Sequence, residues 1–148
     1  MRELVFALEF KGSAGPVPGS DNRLQARTSA SSQVLRTVVK PEGLHVSVES
    51  EDGEAATFES QVEVVGDGAF VESGSIQYGS AGKIRFTTVG RGTLGPAPAP
   101  GIQWGAVIWQ IADGEGVFRG AKGFITSSFT VGAAGEVTDD QFARFFLP

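Results

Sequence analysis

The chain contains no cysteine, one histidine and one methionine among its 148 residues. Without cysteine it can form no disulfide scaffold, no thiol nucleophile and no Cys₄ or Cys₂His₂ zinc site, and one histidine excludes a di-histidine metal motif. A Ser-His-Asp triad would have to use His45. Long apolar runs are missing as well: none approaches the ~20 residues needed to cross a bilayer as a helix. Met1-Arg2-Glu3 followed by Leu4 to Leu8 is too short and too soon charged for a signal peptide, so the expected location is the cytoplasm. An excess of positive charge is the last absence. Twelve basic residues against seventeen acidic ones give a net charge of −5, which leaves no electrostatic footprint for nucleic acid and disfavours anionic membrane surfaces.

What is abundant is glycine, at 21 residues, about twice the usual ~7%. The glycines follow no triplet period, so collagen is excluded. Charged residues at 20% and a mean hydropathy near zero argue against a disordered chain. The length suits a single domain, residues 1–148.

Period-2 alternation runs through the sequence and helical periodicity is scarce. Leu4, Phe6, Leu8 and Phe10 share one face of a first strand. Leu44, Val46 and Val48 alternate with His45, Ser47 and Glu49, which places His45 outward. Further strands are expected over 34–39, 58–64, 69–78, 83–91, 103–112, 117–131 and 136–147. Turn pairs (Glu42-Gly43, Asp52-Gly53, Asp67-Gly68, Ala81-Gly82, Asp113-Gly114, Ala134-Gly135) fall between them at hairpin spacing. Eight or nine short strands without helices read as a sandwich or a barrel. Two loops, Gly15-Pro16-Val17-Pro18-Gly19 and Gly95-Pro96-Ala97-Pro98-Ala99-Pro100-Gly101, hold five of the seven prolines. Alternating proline stiffens an extended path, so each loop is either a stiff rim beside a cavity or a rigid connection.

The second half carries a recognisable order of elements. Gly82-Lys83-Ile84-Arg85-Phe86 leads through the Pro-rich loop to Ile111-Ala112-Asp113-Gly114. Then follow Gly114-Glu115-Gly116-Val117-Phe118-Arg119-Gly120-Ala121-Lys122-Gly123 and a closing Phe142-Ala143-Arg144-Phe145-Phe146-Leu147. This resembles the allene oxide cyclase-like and dirigent-like β-barrels. The resemblance implies an all-β, eight-stranded antiparallel barrel, often oligomeric, whose lumen takes an apolar small molecule. It also implies that Glu9 matches a first-strand glutamate that assists cyclisation. The chain departs from the cyclase pattern in having no cysteine and one asparagine, Asn22. The Gly-rich stretch is no dinucleotide fingerprint, because no helix follows it.

In a small barrel a polar residue in phase with an apolar face is the informative exception. Glu72 is in phase with Phe70, Ile76 and Tyr78. If that face points inward, burial would raise its pKa and suit it to acid–base work; a bulge at Gly74 or an outward phase would remove that role. Tyr78 shares the phase as a hydrogen-bond donor or a packed strand end. Trp109 groups with Val107 and Ile111 and is expected in the lumen with Phe6 and Phe86. Trp104 falls on the opposite face, at a mouth or a subunit contact. Arg144, in phase with Phe142 and Phe146, suits a substrate anion, a carboxylate or solvent.

The expected function is a cofactor-free isomerase, cyclase or lyase for a small, largely apolar or aromatic metabolite. Glu72, Tyr78 and Glu9 are its catalytic candidates. Trp109, Trp104, Phe6, Phe86 and Arg144 are its substrate-binding candidates, and no metal is expected. A non-catalytic carrier or sensor with the same lumen is the rival reading, and a barrel filled with side chains is a third. The aromatic closing strand points to a homo-oligomer, a dimer or trimer.

Overall fold

A computed structural model describes all residues 1–148. It contains strands and no helix: β1 (Arg2–Pro16), β2 (Arg23–Ala30), β3 (Gln33–Lys40), β4 (Gly43–Ser50), β5 (Ala56–Gly66), β6 (Ala69–Tyr78), β7 (Gly82–Thr88), β8 (Gly92–Pro96), β9 (Gln103–Gly116), β10 (Lys122–Val131) and β11 (Glu136–Leu147). Antiparallel pairing runs β10-β11-β1-β2-β5-β6-β7-β9, and β9 pairs back onto β10. The chain is therefore a closed eight-stranded antiparallel barrel. Closure removes the sheet edges that an open meander would leave.

Alternation decides which side chains fill it. On β11, Val137, Asp139, Gln141, Ala143, Phe145 and Leu147 are buried while their neighbours face outward. The core is aromatic: Phe86 and Trp109 have ring centroids 4.5 Å apart, and Phe58 lies 5.5 Å from each. Gly74 makes room for this packing, since a Cβ there would collide with the Phe86 ring and the backbone of Glu59. Register passes through Gly74 without a bulge, so Phe70, Glu72 and Ile76 keep one face.

Three features depart from the sequence reading. The Asp113-Gly114 pair is not a turn: it lies inside β9, just past a register shift opposite Arg85 and Phe86, and Asp113 accepts a hydrogen bond from Arg85 at 3.0 Å. The long strand expected from residue 117 starts at Lys122, because Gly116 and Gly120, both at positive φ, turn the chain between them. Finally, β3 and β4 pair only with each other and stand off the barrel as an arm. Gly43 closes the arm's tip at positive φ, and its base is tied by the Glu51 amide donating to the Ser32 carbonyl at 2.7 Å.

β7 and β8 occupy one seat. β7 lies between β6 and β9 as far as Thr88, the chain steps out over Val89, Gly90 and Arg91, and β8 re-enters between the same neighbours. That break lies beside Glu72.

Candidate functional site

The two ends of the barrel differ. At one, Phe6, Tyr78, Phe118 and Phe145 form a plug with ring centroids 5.2 to 6.2 Å apart. The other end is open and leads into a cavity of about 850 Å³. Its rim comes from both Pro-rich segments, through Gly15, Pro16, Pro96 and Gly101, and from the β10–β11 turn at Gly132 to Gly135. The rim reading of those segments is the one this geometry fits. Its walls include Phe58, Phe70, Trp109 and Phe129, with Leu24, Val62 and Leu94.

Two carboxyl groups enter this apolar space. Glu72, from the middle of β6, accepts a hydrogen bond from Ser60 Oγ at 2.6 Å and one from Trp109 Nε1 at 3.2 Å. Its backbone is held where the neighbouring strand is interrupted. The Glu72 amide donates to Thr88 Oγ1 at 2.7 Å, and the same hydroxyl donates to the Glu72 carbonyl at 2.8 Å. Burial pushes the carboxyl up to about 7, against the Ser60 bond, with the nearby Asp139 charge adding to the rise and the Trp109 bond opposing it. A group that titrates near neutrality, fixed at both backbone and side chain, is matched to proton transfer.

Asp139, from β11, is the second. Ser127 Oγ donates to it at 2.5 Å and Gln141 Nε2 at 2.8 Å. Burial raises its pKa in spite of both bonds. On β2, Thr28 also lines the cavity, and its buried hydroxyl has no hydrogen-bond partner. No cluster of three acidic or histidine side chains is placed to hold a metal ion.

The sequence-derived candidates divide sharply. Glu72 and Trp109 are brought together on the cavity wall, and Phe86 packs behind Trp109. Tyr78 and Phe6 face inward but sit in the plug, 5.6 Å apart, and do not line the cavity. Alternation fixes a residue's face and not its height along the barrel. Glu9 points away from the lumen on β1, opposite Asp140, with the Lys11 ammonium 3.9 Å away. Asp140 has its pKa raised by burial and by Glu9 beside it. Trp104 is half exposed on the outer wall, and Arg144 is paired there with Glu3 at 2.9 Å, so neither reaches the cavity. Asp139 and Thr28 were missed. Asp139 had a signal in the sequence, since it is in phase with Phe145 and Leu147, as Glu72 is with Ile76.

The closed eight-stranded antiparallel barrel is a fold also found in a dirigent protein. Among solved structures, that of the pterocarpan synthase dirigent protein GePTS1 superposes with a TM-score of 0.59, covering 100% of this chain and 87% of that one at 11% sequence identity. At such identity the likeness shows the fold alone. It supports the dirigent-like half of the resemblance. No family model and no curated protein matches the sequence.

Proposed function

We propose that this chain is a cofactor-free cyclase or isomerase for a small, largely apolar or aromatic molecule held in the lumen. The observation that carries the reading is Glu72: a carboxyl pushed up to about 7 by burial, on the wall of an apolar cavity. The name of the dirigent protein that shares the barrel, a synthase, is in keeping with small-molecule chemistry.

In this mechanism the protonated Glu72 donates to an oxygen of the substrate, a carbonyl, epoxide or hydroxyl. The adjoining carbon becomes electron-poor. An internal nucleophile forms the new bond to it as that carbon's bond to the protonated oxygen breaks. The bond broken is the π bond of a carbonyl, the ring C–O bond of an epoxide, or the C–O bond of an alcohol, whose oxygen departs as water. The nucleophile's proton returns to the Glu72 carboxylate. Atoms and protons balance without a co-reactant. The faces of Phe58, Phe70 and Trp109 favour positive charge as it develops, and the walls hold the substrate folded. Trp109 also donates to the carboxylate left after proton transfer, limiting its basicity.

The same chain is proposed to assemble as a homo-oligomer, a dimer or trimer. Phe124, Phe142, Phe146, Ile108 and Trp104 lie exposed on adjoining strands of the outer wall, and apolar side chains grouped in this way are what subunit contacts cover.

The test is a screen of cyclisable aromatic epoxides, enones and alcohols with the purified protein, followed by Glu72→Gln. Turnover by the parent and its loss by about 10²-fold or more in the variant, with ligand affinity kept, is the expected result. A ligand that binds and is released unchanged would establish the carrier reading instead.

A further inference from the structure

The lumen has a charge character that the acid step does not use. Of its 25 lining residues, two are acidic and none is lysine, arginine or histidine. Each carboxyl is met by two neutral donors, Ser60 and Trp109 on Glu72, Ser127 and Gln141 on Asp139. Neutral donors stabilise an ionised carboxylate but do not cancel its charge, and a buried carboxylate without a counter-ion is costly. Every salt bridge in the protein lies on the outer surface, so the barrel supplies the lumen with no cation.

A second observation stands apart from the acids. Thr28 is 7% exposed and lines the cavity, and its buried hydroxyl oxygen has no hydrogen-bond partner. A buried hydroxyl left unpaired is destabilising, and native structures keep few of them. A ligand's polar group would satisfy it. The same cavity is lined by the rings of Phe58, Phe70, Trp109 and Phe129, and the faces of such rings attract cations.

We infer that the lumen selects an organic ammonium ion with an aromatic body, its charged nitrogen paired with Asp139 and its polar end also meeting the Thr28 hydroxyl. The inference rests on the lumen being the ligand site and specifies the ligand that the proposed reaction takes. Glu72 then keeps its place as the acid that protonates the substrate oxygen, while Asp139 and Thr28 hold the substrate by its nitrogen. Both are binding residues in this account. Anionic ligands are excluded by the same charges.

Three probes of nearly equal shape separate the outcomes: 3-phenylpropylammonium, 3-phenylpropanol and 3-phenylpropanoate. Each is titrated into the intact protein near pH 8, with the Trp109 indole proton followed by NMR and heats by calorimetry. The ammonium is expected to bind about tenfold or more tightly than the alcohol, as a charge-assisted hydrogen bond does over a neutral one, and the carboxylate is expected not to bind. Asp139→Asn should erase most of the preference for the ammonium. Thr28→Val should weaken the ammonium by about fivefold while leaving the empty protein as stable as before or more so, because it deletes an unpaired hydroxyl. A fall in stability of the empty Thr28→Val protein would assign that hydroxyl a structural role and overturn its part in binding. If the alcohol binds as well as the ammonium, the charge selection is wrong and the lumen reading survives. If the carboxylate binds best, the charge selection is likewise overturned. If none of the three perturbs Trp109, the lumen reading falls together with this one.

Discussion

The Thr88 hydroxyl sits across from the Glu72 backbone and bonds both its amide and its carbonyl, at 2.7 and 2.8 Å. One side chain thus replaces the ladder pair that a continuous neighbouring strand would provide. The break between β7 and β8 leaves the carboxyl's own strand without loose backbone groups at the point where the side chain turns inward. Gln33 serves Glu9 in a similar way on β1, its side-chain oxygen accepting from the amide at 2.6 Å and its nitrogen donating to the carbonyl at 3.3 Å.

Thr88→Val should therefore cost more than an ordinary surface change. It keeps the shape and strands two backbone groups, and a loss of about 2 kcal/mol in urea denaturation is expected. Thr88→Ser should restore most of it. A Val variant within ~0.5 kcal/mol of the parent would mean that water repairs the break and that the hydroxyl does not hold Glu72.

Stability should fall as pH rises through the range in which Glu72 titrates. Its carboxyl ionises near 4.5 in the unfolded chain and at about 7 in the barrel. Between those values the folded state holds more protons, so the slope of unfolding free energy against pH is negative. The favourable contribution is complete below the lower value and gone above the upper one, about 3 kcal/mol in all. Glu72→Gln should flatten that slope and be the more stable protein near pH 8. Asp139 and Asp140, raised in the same direction, will leave a residual slope in the variant. Denaturation curves at three pH values decide it.

Tyr78→Phe should leave any turnover in the cavity unchanged. The phenol is buried among Phe6, Phe118 and Phe145, away from the cavity walls, and burial pushes its ionisation far above the ordinary value. The ring carries the plug. Tyr78→Ala should destabilise by about 3 kcal/mol or more, as truncation of a packed aromatic does. A large loss of activity in a stably folded Phe variant would return Tyr78 to the reaction.

Phe142→Glu together with Phe124→Glu places two charges on the half-exposed outer wall. Sedimentation should show an assembled parent and a monomeric, still folded variant. A parent that sediments as a monomer at micromolar concentration would show that the wall is bare in solution.

The legible part of the fold was its alternation. β11 matches residues 136–147 with every second side chain inside, and the opposed faces of Trp104 and Trp109 follow from their odd spacing. Glu72 was legible for the same reason, a charge in phase with Phe70 and Ile76. Height along the barrel was not: Tyr78 shares the Glu72 face but lies in the plug, and only the three-dimensional stagger of strands tells the two levels apart. β3 and β4 alternate as cleanly as barrel strands, yet both stand outside, because a period of two records a face and not what covers it. Thr28 carried no signal at all. A threonine on a strand is ordinary, and its want of a partner arises only when strands distant in sequence surround it.

A chamber plugged at one end by four aromatic rings admits a guest at the other, past Pro16, Pro96 and the Gly132–Gly135 turn. A product that returns by that rim must clear it before the next molecule arrives. Reactant and product then contend for one passage, so product inhibition should be competitive, and egress past the rim can set the turnover rate. Such a vessel favours rearranging one guest over joining two.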